Sequence, residues 1–310
     1  GYTSMVIERP EGDLEGDRKI GIEIYAPTHE GKGDKLFMHR AKDFSLLSEK
    51  QLQTLHSHCV DHLRPKGSFP ILIFSHGLGV DPIEYRLLLE NLASQGYVVV
   101  NLNHPTSSGY APFSEEVFDE SALDELSEGE IETEINKLAL KQEANIKFII
   151  DKIRTGKMLE RLGLSDQIVL AGHSLGGAAS ILVSRDDHDV KGSINLDGLL
   201  MGDEEAKTEG IEAPVLIILS EKKHDPKAFR SMEEYVESQK MSDRMVDEID
   251  TLCRDSEFAT KLLIEGTDHM SFCLVDPMKG WLLDMADLEG PLKAHHITSQ
   301  EIVKFMKTIS

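Results

Sequence analysis

The chain has 310 residues, of which 40% are hydrophobic and 28% charged, enough to bury a core deep enough for a catalytic cleft. Its 33 Lys and Arg against 55 Asp and Glu give a formal charge of −22, a field that repels phosphate backbones and argues against nucleic acid as a partner and against strong docking to anionic membranes. Three scattered cysteines (Cys59, Cys253, Cys273) are too few for a disulfide framework or a thiolate metal site.

Apolar runs such as Pro214 to Leu219 are strand-sized, and none is long enough to span a bilayer. The expectation is a soluble protein with at most peripheral membrane contact. Because residue 1 is Gly, removal of a leader by processing or cloning is open, and so is the choice between a secreted and a cytoplasmic site. Composition does not fix the oligomeric state.

Taken in chain order, Lys19 to Tyr25 alternates as an early strand, a pairing partner for Met5 to Glu8. Leu46 to Leu55 is helix-like. Ile71 to Phe74 is a continuous apolar strand that ends at Ser75-His76-Gly77, an amphipathic helix covers about Ile83 to Ser94, and Tyr97 to Val100 is the next strand. Ile168 to Ala171 runs into Gly172 and a small-residue helix from Leu175 to Val183. Lys191 to Leu196, Val215 to Leu219 and Lys261 to Ile264 are further strands. Thr298 to Thr308 reads as a closing helix capped by Thr298 or Ser299.

Buried strands alternating with helices predict a single α/β domain over residues 1–310, with a mostly parallel central sheet and helices on both faces. Two inserts interrupt it. The first, at about 110–140, carries ten acidic residues from Glu115 to Glu134 and no Lys or Arg up to Asn136. It reads as a solvated helical face or a mobile loop; since it follows a strand end, bordering the active-site mouth is the alternative. The second, at about 227–256, is helical and charged.

Ile168 to Gly177 reads IVLAGHSLGG, a strand, a Gly-x-Ser-x-Gly turn and a helix. This is the setting of a nucleophile elbow and marks an α/β-hydrolase. Ser174 needs a tight, strained turn to stand above the sheet, and Gly172 and Gly176 leave room for it. The His-Gly turn after Phe74 suits one oxyanion donor, the Leu78 N–H, and the residue after the nucleophile, Leu175, supplies the other. His269 follows the last strand, where this fold keeps its base; His224, His295 and His296 are its rivals, the last two read as surface residues before the closing helix. For the acid, Asp197 and Asp225 compete. Each follows a strand, and Asp225-Pro226 also has a plain reading as a helix cap.

The stretches Phe74 to Gly79, Leu92 to Tyr97, Gly172 to Gly177, Asn195 to Gly198 running on to Glu204, and Pro214 to Glu221 together resemble the platelet-activating-factor acetylhydrolases. The resemblance covers roughly residues 68 to 272. It implies a Ser-His-Asp esterase of the calcium-independent phospholipase type, acting on phospholipids with short or oxidised sn-2 chains, and it places the acid at Asp197 and the base at His269. Where that family carries bulky aromatics after the acid, this chain has Leu199-Leu200-Met201.

The expected substrate is a small ester or a phospholipid, and the chemistry calls for neither cofactor nor metal. The alternatives are a general short-chain esterase, a polyester or cutin-type hydrolase, and an idle hydrolase scaffold used for binding. Pocket-lining positions suggested by strand ends are His76, His104 and Leu199, with His76 and His173 read as packing or hydrogen-bonding neighbours of the oxyanion backbone. The cluster from His56 to His62 approaches a metal-binding pattern but has one residue too many, and reads as a helical face.

Overall fold

The computed structural model describes residues 1–13, 15–28, 67–123, 126–156, 164–203, 206–207, 209–222, 231–274 and 288–309. The expectations for Leu46 to Leu55, His56 to His62, Cys59, His224 and Asp225 lie outside the described residues.

Eight strands form one sheet: β1 (Tyr2–Glu8), β2 (Lys19–Tyr25), β3 (Phe69–Ser75), β4 (Val98–Asn103), β5 (Leu164–His173), β6 (Gly192–Leu196), β7 (Val215–Lys222) and β8 (Ala259–Asp268). Their order is β1-β2-β4-β3-β5-β6-β7-β8. β1 pairs antiparallel with β2, and β2 with β4; every other pairing is parallel. The helices are α1 (Arg86–Ser94), α2 (Glu128–Arg154), α3 (Leu175–Asp186), α4 (Met232–Asp255) and α5 (Glu289–Thr308).

The continuous apolar strands are explained by burial on both faces. In β3, Leu72 and Phe74 join a core with Leu88, Leu89 and Leu92 of α1 and Ile302, Phe305 and Met306 of α5. Ile71 and Ile73 point the other way, to Ile146, Ile149 and Ile150 of α2 and Ala179 and Val183 of α3. β7 divides alike, with Ile217 and Leu219 against Met245, Ile249 and Leu252 of α4. This is the α/β-hydrolase architecture.

The closing helix begins at Glu289 rather than at Thr298. Thr298 and Ser299 are therefore buried inside it, with the Ser299 hydroxyl donating to Asn91 Oδ1 at 2.8 Å, and neither is a cap. The Ser299 hydroxyl finds a partner within the fold, whereas the Thr298 hydroxyl is buried with none among the described residues, so residue type alone mimicked a start signal. His295 and His296 consequently sit on the helix, His295 half-buried, instead of ahead of it. The stretch from Ile83 divides into a 3-10 turn (Pro82–Tyr85), opened by the Asp81 side chain on Ile83 N, and then α1. Of the acidic insert, residues 120–123 form a 3-10 turn, and α2 begins at Glu128 behind a Ser127–Glu130 capping box.

β3 sends its chain to β4 on one side, while its other neighbour, β5, leads away to β6. The carboxyl ends of β3 and β5 thus meet where the strand order reverses, the place where open α/β sheets hold their ligands.

Candidate active site

Ser174 occupies the turn between β5 and α3 with φ 53° and ψ −120°, a conformation costly for any side chain. It is fixed from both sides: Ser174 N donates to the Leu196 carbonyl at 2.8 Å, and its own carbonyl accepts from Ala178 N at 3.1 Å. The glycines around it answer to close approach. A Cβ on Gly172 would run into the backbone of Gly176 and Gly177, and one on Gly176 into the Ser75 and His76 carbonyls. Ser174 is partly exposed, whereas its neighbours from Ala171 to Ser184 are buried.

Asp197 directly follows β6 and is, with Ser174, one of two non-glycine residues of positive φ among the described residues, at 55°. Its turn is clamped by the buried Asn195 side chain, which accepts from Gly198 N at 2.7 Å and donates to the Gly198 carbonyl at 2.9 Å. A side chain at 198 would strike the Ser174 carbonyl, so the Asn-Leu-Asp-Gly sequence is a geometric requirement. The Asp197 carboxylate is 1% exposed. Its Oδ1 accepts from Ser220 N at 2.9 Å, and its Oδ2 from the Ser220 hydroxyl at 2.7 Å and from His269 Nδ1 at 2.9 Å.

His269 opens a short 3-10 turn (His269–Phe272) directly after β8, with Asp268 as its capping residue. With Nδ1 engaged by the carboxylate, Nε2 carries the ring's remaining proton-accepting capacity. Ser174, Asp197 and His269 line one cleft of about 200 Å³, walled by Leu78, Ile135, Leu175, Ala178, Leu199, Met201 and Met245, with Ser242 at its side. Larger depressions of about 510 and 660 Å³ elsewhere on the surface hold none of the three. Both inserts reach the cleft, one through Ile135 of α2 and the other through Ser242 and Met245 of α4.

Leu78 and Leu175, which both wall this cleft, carry backbone N–H groups with no hydrogen-bond partner among the described residues. Gly77 N donates to the Tyr85 hydroxyl at 3.1 Å and Gly79 N to the Ser107 carbonyl at 2.8 Å, which leaves Leu78 N between them with no hydrogen-bond partner among the described residues. Leu175 is the first residue of α3, where an N–H has no intrahelical acceptor.

Of the three suggested pocket positions, Leu199 lines the cleft. His76 and His104 do not, and the reason is burial: both are 0% exposed and sit behind the Gly77–Gly79 turn. His76 Nδ1 donates to the Gly77 carbonyl at 2.8 Å, and its Nε2 accepts from His104 N at 3.0 Å. His104 bridges the Ser75 hydroxyl and the Asn145 amide, which in turn donates to Asp17. Lack of solvent pushes the His76 ring down to about 4 and holds His104 well below the usual histidine value, so both are neutral struts for the turn. His173, between Gly172 and Ser174, is likewise buried and lowered to about 3, mainly by burial and then by its neighbour His269.

Two features escaped the sequence reading. Ser220 showed only as a small polar residue after the apolar run of β7, a position strand patterning does not separate from a loop. Met245 showed only as one apolar position on a charged helix.

Among the described residues no cluster of three His, Cys, Asp or Glu could hold a metal ion, and no helix is long and apolar enough to cross a membrane.

The sheet order, the strained serine turn and the free backbone donors beside it define an α/β-hydrolase. Two solved structures share the fold: a ferulic acid esterase from Streptomyces cinnamoneus (TM-score 0.67, 21% identity, 99% of this chain and 88% of that one) and a dienelactone hydrolase from Anabaena variabilis (TM-score 0.50, 12% identity, 99% and 98%). The sequence profile of platelet-activating factor acetylhydrolase, isoform II, matches residues 23–154 and 121–276, and the chain belongs to that family. Platelet-activating factor acetylhydrolase of Canis lupus familiaris is 26% identical over 195 residues, 55% of this chain and 44% of that protein. The protein of the same name from Gallus gallus is 28% identical over 193 residues, 51% of this chain and 46% of that one. The match thus spans less than half the length of these relatives.

Proposed function

We propose that the chain is a carboxylic ester hydrolase that works through an acyl-enzyme on Ser174. In this reading the Ser174 Oγ attacks the ester carbonyl carbon while His269 Nε2 takes its proton. Asp197, bonded to Nδ1–H, fixes the tautomer and stabilises the imidazolium. The carbonyl oxygen becomes an oxyanion held by the Leu78 and Leu175 N–H groups, with the positive end of α3 behind it. Collapse expels the alcohol, which leaves with the proton from His269. Water, deprotonated by the same nitrogen, then releases the acid and restores the serine.

The observation that carries this reading is the 2.9 Å contact from His269 Nδ1 to Asp197 Oδ2 at the wall of the cleft that also contains Ser174. Membership of the acetylhydrolase family supports esters with short acyl groups, phospholipids with a short or oxidised sn-2 chain among them. A cleft of about 200 Å³ with apolar walls suits such an acyl group. An uncharged or zwitterionic substrate also suits a chain of net charge −22.

The test is a p-nitrophenyl ester series of increasing chain length beside a phospholipid with a short sn-2 acyl group, on wild type and Ser174→Ala. The reading expects hydrolysis of the short esters and the phospholipid, abolished by the substitution, and phosphonate labelling at Ser174. Turnover of simple esters alone would move the substrate to a general esterase or polyesterase. An unreactive Ser174 would leave a binding scaffold.

A further inference from the structure

His173, the residue between Gly172 and the nucleophile, takes no part in the proton transfers above, yet it is a polar ring with 0% exposure at the centre of the site. Burying an imidazole is costly unless both nitrogens are satisfied, and here both are. Nε2 lies 2.9 Å from the backbone carbonyl of His269. A carbonyl only accepts, so the proton is on Nε2 and Nδ1 is the lone-pair nitrogen. Nδ1 in turn lies 2.8 Å from the Tyr85 hydroxyl, which must be the donor there. The same hydroxyl oxygen accepts the Gly77 N–H at 3.1 Å. The bonds therefore all run one way, from Gly77 N–H through the Tyr85 hydroxyl and the His173 ring to the His269 carbonyl.

The two ends of that chain are the oxyanion turn, one residue before Leu78, and the backbone of the proposed base. They come from β3 and β8, at opposite sides of the serine turn, and no strand pairing joins them. The ring also packs against what it connects: its centroid is 4.6 Å from that of His269 and 5.5 Å from that of Phe272, with the Cys273 sulfur 3.9 Å from Nδ1. A Cβ on Gly77 would meet Nδ1 and Ser174 Cβ at 3.2 Å each, so the turn is seated directly on this ring.

We propose that His173 is a positioning residue, which with Tyr85 registers the oxyanion donor and His269 against Ser174 by one hydrogen-bond relay. The inference rests on the triad reading above. The geometry requires a neutral ring with a fixed tautomer: a second proton on Nδ1 would break the bond from Tyr85 and place a cation beside His269. Sealed from water, the ring meets that condition.

The experiment compares His173→Phe, His173→Gln, His173→Asn and Tyr85→Phe with wild type and Ser174→Ala. It reads kcat and KM for p-nitrophenyl acetate, active sites titrated by a phosphonate, and thermal unfolding. Phe fills the space without either bond, and a misplacement of the base should lower kcat on the order of 100-fold with KM within about twofold. Gln puts an amide N–H near the place of Nε2 and should recover about tenfold of that loss, whereas Asn reaches only the Tyr85 side and should stay below Gln. Tyr85→Phe should lower kcat in the same direction.

Wild-type kcat in His173→Phe, or equal losses in Gln and Asn, would overturn the inference while leaving the triad intact. Lower melting temperature at unchanged kcat per titrated site would overturn it too, because packing alone predicts that. Should the Phe variant not fold, Gln against Asn decides. A wild type with no Ser174-dependent turnover would bring down the triad reading and this inference together.

Discussion

Ser220 donates to Asp197 twice, its N–H at 2.9 Å to Oδ1 and its hydroxyl at 2.7 Å to Oδ2, the oxygen that also faces His269. The hydroxyl therefore shares an oxygen with His269 and sets the direction in which the carboxylate points. A hydrogen bond to a charged acceptor contributes about 1.5–3 kcal/mol, so Ser220→Ala should lower kcat at least about tenfold. The backbone donor remains, and circular dichroism should be unaltered. An unchanged kcat would show that the carboxylate is held without the hydroxyl.

Asp197→Asn removes the charge and preserves the shape. An amide nitrogen turned toward His269 Nδ1 would favour the wrong tautomer, and in the general Ser-His-Asp template this loss is about 10⁴-fold in kcat. The strained turn at φ 55° tolerates Asn as well as Asp, so folding should survive. Were Asn to retain most of the activity in steady-state assays, the acid would have to be sought elsewhere, Asp225 being the first candidate.

The fold was legible in the sequence because each central strand is buried on both faces and so appears as an unbroken apolar run: Ile71 to Phe74, Ile168 to Ala171 and Val215 to Leu219 all lie within strands of the sheet. The serine turn was legible because close approach leaves only glycine at 172 and 176. Asp197 was only half legible. Two aspartates followed strands, and local pattern does not say which carboxylate points at His269. The role of Asn195 as the clamp of that turn is a local side-chain-to-backbone bond to Gly198, and that of Ser220 as a double donor is a contact from the neighbouring strand; neither carries a periodic signal. His76 and His104 were misplaced for a related reason. Strand-end position locates a residue near a site but not on which side of the turn its ring lies. The early end of the closing helix was hidden by Thr298 and Ser299, cap-type residues that here lie buried inside the helix rather than at its start.

Three buried neutral histidines give the stability a pH dependence. His76 is lowered to about 4, His173 to about 3 and His104 well below the usual value, each chiefly by burial. Their folded values lie below the unfolded value of about 6.5, so between pH 6.5 and about 4 the unfolded chain binds protons that the folded chain refuses. Their contribution to stability is full above pH 6.5 and is lost as pH falls through this window, by up to about 1.4 kcal/mol per pH unit for each ring. Denaturant midpoints between pH 7.5 and 5 should show the decline. His104→Gln, which cannot take up a proton, should make it shallower. A slope identical to wild type would mean that the His104 ring is already charged or hydrated in the folded state.

Glu132 on α2 pairs with Arg244 on α4 at 3.1 Å and with Lys207 at 3.5 Å, and the two helices carry Ile135 and Met245, which wall the cleft. The Glu132–Arg244 pair is half exposed, so it contributes at most about 1 kcal/mol to stability and is weakened by salt. Its position matters more than its strength, since it ties the two inserts together beside the cleft. Arg244→Gln should leave the melting temperature nearly unchanged and raise kcat/KM for hexanoyl and longer p-nitrophenyl esters relative to the acetyl ester. In wild type, 0.5 M salt should shift the ratio the same way, because salt weakens an ion pair this exposed to solvent. Deletion of residues 113–133 takes away Glu132 and the acidic stretch before it, and should alter the apparent affinity for bulky esters more than either change. A chain-length profile that is the same in wild type, Arg244→Gln and the deletion would mean that the mouth of the cleft is set by Ile135 and Met245 alone.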